Sequence, residues 1–245
     1  MLAYIKHCVL QMKRPIPHFV LVLLFSVCSV VAQQGTANME SAARNDEKRT
    51  IVEENADVRI TRINAPAGAP ESVATRGLDA VIVPLSELSL QSGSAEVLTL
   101  KKGEAHFIER DKKYVATGTA IVVELKEHWD RPVKYCATPA ICTRETLMAG
   151  QVVSSTTTVF TNGFVTAMRY KVVPNGSLDA SYYSAKGKDS VVFVALTALK
   201  ANFGGTEEEL TPGQAYFTNE SSVALEAGQR GAEWLVVRLN RPKAQ

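Results

Sequence analysis

The chain has 245 residues, a formal net charge of +2 and 46% apolar residues, enough for one large or two small globular domains with ordinary cores. The first 32 residues hold three of the 27 basic side chains and no acid, so the remainder carries 24 basic against 25 acidic groups. That balance excludes the basic field that nucleic-acid binding needs, and no block of like charge marks an interaction tail.

Residues 1–32 predict a secretory signal peptide. Lys6, Lys13 and Arg14 form its basic start, Phe19 to Val31 its apolar run, and Val30-Val-Ala32 the small residues before a cleavage that leaves Gln33 first. The apolar run is shorter than the ~20 residues a bilayer requires. A membrane anchor is therefore the weaker reading, and so is a lipid on Cys28, which lies inside the run. The expected location is secreted or periplasmic, in a bacterial envelope, with no stable membrane insertion after cleavage. Asn175-Gly-Ser177 and Asn219-Glu-Ser221 are sequons that matter only in a eukaryotic secretory route.

Residues 33–50 are polar, without a period of two or 3.6, and read as a disordered spacer. From Ile51 the pattern changes. Val58-Arg-Ile-Thr-Arg-Ile63 is a weakly alternating, β-branched strand. Ala65-Pro-Ala-Gly-Ala-Pro70 must be a loop. Ala80 to Leu85 is a strand apolar enough to be covered on both faces. Leu88 to Glu96 reads as a turn. Glu96 to Leu100, Ala105 to Ile108 and Thr119 to Leu125 complete a first β-rich unit, 51–127.

Residues 128–150 read as a linker, with Ala140 to Met148 as a weak helix. It carries Cys136-Ala-Thr-Pro-Ala-Ile-Cys142. An even cysteine pair in an exported chain predicts a disulfide. Closing so short a loop stabilises by about 2.4 kcal/mol on a chain-entropy estimate. The alternative, a redox pair, lacks the Cys-x-x-Cys spacing and a neighbouring cation. The second unit, 151–245, begins with a strand from Gln151 to Phe160, the hairpin turn Asn162-Gly163 and a strand from Phe164 to Val173. Asn202 to Thr206 is a turn, Glu207-Glu-Glu209 a solvated charge run, and Trp234 to Leu239 the last strand.

The two units repeat one another. Asp79-Ala-Val-Ile-Val-Pro84 recurs as Asp189-Ser-Val-Val-Phe-Val194, Leu100-Lys-Lys-Gly-Glu104 as Leu210-Thr-Pro-Gly-Gln214, and Gly118 to Leu125 as Gly231 to Leu239. A repeat of this kind fixes the architecture as two similar units, here all-β barrels or sandwiches.

Taken in order, Pro66-Ala-Gly68 and Pro174-Asn-Gly176, Asp79 and Asp189, and the two Leu-x-x-Gly turns resemble the cupins, in their two-domain bicupin form. The resemblance spans Val58 to Lys126 and Phe164 to Asn240. It implies two tandem jelly-roll barrels. It also implies a metal held by a His-x-His pair and a third His. Those positions fall on Val73, Thr75 and Tyr114 in the first unit, and on Tyr183, Ala185 and Ala224 in the second. None is histidine. Beyond residue 32 the chain has two histidines, His106 and His128, where a catalytic first-row metal usually takes about three protein ligands. The sequence therefore departs from the family where its usual chemistry resides, and no bound metal and no other cofactor is expected.

No Gly-x-Ser-x-Gly elbow or phosphate-binding glycine loop is present. Catalytic residues are not assigned. The candidate pocket residues are Tyr183, Tyr170, Arg169, Arg62, Tyr114 and His106. Tyr183 falls at a metal-ligand position. Tyr170, Tyr182, Tyr183, Tyr216 and Trp234 would line a pocket for a sugar-like small molecule if they face an open barrel, and would be core otherwise. Arg62 and Arg169, on the first strands, would bind an anion if they face inward. The function expected is an exported, metal-free bicupin-like module that binds or builds rather than catalyses, as monomer or homodimer. The alternative is a metal-independent isomerase or lyase acting on a sugar or other small molecule. Apolar plugs in both interiors favour the module; an open pocket with converging acid and base favours the enzyme.

Overall fold

The computed structural model describes residues 48–74, 77–93, 97–110, 112–126, 143–148, 151–179, 190–219 and 223–240. From Lys48 onward the chain is one compact unit. Its first half comprises β1 (Arg49–Glu54), β2 (Val58–Ala65), β3 (Glu71–Ala74), β4 (Asp79–Pro84), β5 (Leu88–Gln91), β6 (Val97–Leu100), β7 (His106–Ile108) and β8 (Lys113–Leu125). The second comprises β9 (Thr143–Met148), β10 (Gln151–Thr161), β11 (Val165–Val172), β12 (Ser177–Asp179), β13 (Val191–Ala195), β14 (Leu199–Phe203), β15 (Thr206–Leu210), β16 (Ala215–Thr218), β17 (Val223–Ala227) and β18 (Ala232–Leu239).

In the first half, β1-β2-β8-β4-β7 form one sheet, while β3 and β5 pair with the start of β8 and β6 pairs with β5. The long β8 serves both layers because it turns at Gly118. There φ is +127°, and a Cβ would sit 2.5 Å from the Glu87 carbonyl oxygen. Only glycine suits both the dihedral and the space. In the second half the layers are β16-β13-β18-β11-β10-β9 and β12-β17-β14-β15. Each half is a pair of facing sheets, a jelly roll that does not close into a hydrogen-bonded barrel.

Three apolar cores follow from strand alternation. Ile63, Ala80, Ile82, Val122, Leu88 and Leu90 fill the first half. Phe193, Trp234, Leu199, Phe203 and Leu225 fill the second. The third core joins them: Val58, Ile60, Val81, Val83, Ile121 and Val123 of the first half pack on Val165, Ala167, Val192, Val194, Leu235 and Val237 of the second. This explains why β4 is apolar throughout. Ala80 and Ile82 face the interior, Val81 and Val83 the seam, and all four are fully buried. Phe107 stacks on Phe164 across the seam at 6.1 Å. The Phe217 N–H donates to Glu53 Oε2 (3.0 Å) and the Ser190 hydroxyl to Asp57 Oδ2 (3.1 Å).

Four expectations need correction. Residues Leu88 to Gln91 are a strand, not a turn: Leu88 and Leu90 are buried while Gln91 is exposed, and two inward leucines outweigh the local Ser and Gln. Thr143–Met148, expected as a weak helix within a linker, is a strand paired with β10. Glu207–Glu209 lie in β15, paired with β14, though Glu207 and Glu209 still face solvent. The spacer does not reach residue 50, because Arg49 and Thr50 already pair with β2. The signal segment, residues 33–47, Cys136, Cys142 and His128 lie outside the described residues.

Candidate functional site

In the first interior, register fixes which side chains form layers across the sheet. Arg59 lies opposite Glu124 and Thr61 opposite Val122; Glu124 lies opposite Ala80 and Val122 opposite Ile82; Ile82 lies opposite His106. The middle of this surface is apolar, with chemistry only at its edges. His106 meets Tyr114 edge to face at 6.1 Å. Burial pushes the His106 imidazole below its ordinary pKa of 6.5, so it stays neutral at pH 7.

At the opposite edge Glu124 is fully buried. Arg49 Nη2 and Arg59 Nη1 reach its carboxylate at 3.4 and 3.5 Å, which keeps the charge compensated. Arg59 also donates to Glu54 at 2.7 Å, and Lys126 Nζ lies 2.8 Å from the same carboxylate. These two cations, Arg59 foremost, hold the Glu54 pKa down to about 2. Two buried atoms within the described residues lack a hydrogen-bond partner, Arg59 Nε and the Thr61 hydroxyl.

Of the positions that the cupin resemblance would give to metal ligands, Val73, Tyr114 and Ala224 lie within the described residues. Val73 is buried in the first core and lies opposite Tyr114 across β3 and β8. Ala224 alternates outward on β17, between buried Val223 and Leu225. Thr75, Tyr183 and Ala185 lie outside the described residues. Among the described residues no three His, Cys, Asp or Glu side chains gather as a metal site would require.

The second interior is an aromatic core. Tyr170 stacks on Trp234 at 5.5 Å, Phe203 on Tyr216 at 4.2 Å, and Phe193 meets Phe203 edge to face at 5.5 Å. Tyr170 is only 4% exposed and Trp234 1%. Of the two readings open for Tyr170, Tyr216 and Trp234, pocket wall or core, the packing matches core, because flat rings at facing strand positions fill the space between two sheets. An opening of about 340 Å³ lies at one end of this half, bordered by Leu199, Lys200, Glu209, Thr211 and Glu226. Its one cation, Lys200, lies 3.7 Å from Glu209.

Arg62 and Arg169 face neither interior. Both point into the seam, each towards a glycine of the opposite half. A Cβ on Gly103 would lie 2.6 Å from Arg169 Cζ, and one on Gly213 would lie 3.6 Å from Arg62 Cζ. Arg169 donates to Glu233. Arg62 borders a cleft of about 260 Å³ together with Ser86, Lys102, Thr119, Pro212 and Gly213. The candidate residues thus divide: His106 and Tyr114 meet in the first half, Tyr170 is core, and the arginines belong to the seam. Lys102, Thr119 and the buried Glu124 escaped notice in the sequence. Setting Val122-Val-Glu-Leu125 against Val236-Val-Arg-Leu239 would have flagged Thr119, against Glu233, and Glu124, against Arg238, and setting Leu100-Lys-Lys-Gly103 against Leu210-Thr-Pro-Gly213 would have flagged Lys102.

No family profile and no curated protein sequence matches the chain. Solved structures do match. Salicylate 1,2-dioxygenase from Pseudoaminobacter salicylatoxidans aligns over 93% of this chain and 92% of its own, at 7% identity and a TM-score of 0.53. Ylba from E. coli aligns over 80% of this chain and 84% of its own, at 8% identity and 0.55. AerE from Microcystis aeruginosa aligns over 78% of this chain and 96% of its own, at 10% identity and 0.52. At such identity the likeness carries the fold alone, and that fold is the cupin fold.

Proposed function

We propose that this protein is an exported, two-domain cupin-fold module that binds or builds rather than catalyses, and that works without a resident metal. The observation that supports the reading is that apolar side chains fill the middle of the first interior and stacked aromatic side chains fill the second. Val73 and Tyr114, the residues at positions that the cupin resemblance would give to ligands, offer a first-row ion no nitrogen donor. The alternative, a metal-free isomerase or lyase, would rely on His106 and Tyr114. The two rings meet edge to face, and among the described residues neither is hydrogen-bonded or ion-paired to a carboxylate, whereas acid–base catalysis needs groups within hydrogen-bond reach of one reacting centre. Export rests on the basic and apolar pattern of residues 1–32.

Elemental analysis of the purified protein is the test. Substoichiometric Mn, Fe, Co, Ni, Cu and Zn is expected, together with a melting temperature that a strong chelator leaves unchanged. One equivalent of a transition metal, or a drop in Tm on chelation, would overturn the reading. N-terminal sequencing after expression in a bacterial host is expected to start at Gln33; retention of Met1 in the cytoplasm would refute export.

A further inference from the structure

The two halves use the same hydrogen bonds at the seam, which equates residues one by one. The Leu85 N–H donates to the Thr119 carbonyl (2.8 Å) and the Leu196 N–H to the Glu233 carbonyl (2.9 Å). The Thr119 N–H donates to the Ser86 hydroxyl (3.2 Å) and the Glu233 N–H to the Thr197 hydroxyl (2.8 Å). Arg62 lies opposite Ile121, two residues beyond Thr119. Arg169 lies opposite Leu235, two residues beyond Glu233. Thr119 therefore stands where Glu233 stands, and Arg62 where Arg169 stands.

The halves differ in charge at this place. In the second half the Glu233 carboxylate accepts from Arg169, with Lys171 Nζ 3.8 Å away. In the first half a threonine replaces the acid, and its hydroxyl donates to Asn64 Oδ1 (3.2 Å). Arg62 keeps its position, and Lys102 joins it on the wall of the 260 Å³ cleft. Among the described residues neither cation enters an ion pair. The Ser86 and Thr119 side chains complete a polar wall. Their hydroxyl protons already go to the Glu87 carbonyl (3.3 Å) and to Asn64, so it is the two cations on an open cleft, at the spot where the repeat elsewhere supplies its own carboxylate, that give the chemistry of an oxyanion site.

We propose that this seam cleft binds the carboxylate of a small organic acid, which takes the place Glu233 occupies in the other half. A guanidinium presents a planar donor fork that matches a carboxylate, and Lys102 adds a second positive charge without that constraint. The cleft, at about 260 Å³, is just below the 300–1,000 Å³ typical of drug-sized ligands, which suits a small acid. The site is distinct from either interior and does not depend on whether the protein is catalytic.

The test is thermal unfolding of the purified protein titrated with acetate, malonate or inorganic phosphate at constant ionic strength, with chloride as the balancing salt. Acetate or malonate is expected to raise Tm saturably, by several degrees at about 100-fold excess over Kd. Arg62→Gln is expected to weaken that response at least tenfold. Thr119→Glu is expected to raise Tm without ligand and to abolish the response, because it restores the carboxylate seen in the second half. Glu233→Thr is expected to add a second saturable response. A wild-type protein indifferent to all three anions would overturn the proposal. So would a response that survives both Arg62→Gln and Thr119→Glu. A response to phosphate alone would overturn the carboxylate assignment.

Discussion

His106 shows how a single residue can carry a measurable consequence of burial. Its pKa lies below 6.5 because the folded protein removes water from the imidazole. The unfolded chain therefore takes up a proton first as the pH falls, and stability declines below about 6.5. Glu54 acts lower. Its folded pKa of about 2 lies beneath the ordinary 4.5, so its contribution is complete above 4.5 and is lost as the pH falls towards 2. Tm measured against pH is expected to fall in two stages, with the upper stage reduced in His106→Leu. NMR titration of His106 should give a pKa under 6.5; a value above it would contradict the burial seen here. Gly103 offers a steric test. A methyl group there would meet the Arg169 guanidinium at 2.6 Å, and that guanidinium is tied to Glu233. Gly103→Ala also puts a side chain in the left-handed region at φ +82°, so it is expected to cost about 1–3 kcal/mol in denaturant unfolding, with only part of the loss recovered in the double variant carrying Arg169→Ala.

At the scale of the element, β8 is the strand on which the first half depends. It pairs with β2, β3, β4 and β5, and it does so only because Gly118 lets it turn from one layer to the other. Gly118→Ala combines a disfavoured φ with a clash against the Glu87 backbone, which cannot rotate away as a side chain can. A loss of about 2–4 kcal/mol is expected, measured as a lower urea midpoint; an unchanged midpoint would mean that β8 turns without needing the glycine. Most strands were legible in the chain. Val58 to Ile63 and Ala80 to Leu85 carry enough β-branched and apolar residues to announce themselves. Leu88 to Gln91 did not, because two leucines between Ser and Gln make too short a signal to separate a four-residue strand from a turn. Thr143 to Met148 has a mixed local preference, and its strand conformation comes from pairing with β10, a tertiary event.

For the whole molecule, the seam decides behaviour. Val81, Val83, Ile121, Leu235 and Val237 are fully buried only because the two halves cover each other, so neither half can unfold without exposing the other's sheet. One cooperative calorimetric transition is expected. Leu235→Asp should lower Tm for probes in both halves together, since it buries an unpaired charge in the shared core. Two well-separated transitions would show instead that the halves fold independently.

The sequence by itself determined the all-β class, the repeat and the position of the strands that alternate strongly, since these rest on local periodicity and on similarity between distant segments of one chain. It also determined that two histidines, His106 and His128, remain beyond residue 32, which requires only counting. Tertiary structure alone decided where the side chains point. Strand alternation says that neighbouring residues face opposite ways, but both faces of β4 and of the second part of β8 are buried, so apolar character no longer marks the interior. Hence Arg62 and Arg169 proved to be seam residues, Tyr170 and Trp234 a stacked core, and the exchange of Glu233 for Thr119 became visible as a change of charge at one place in space.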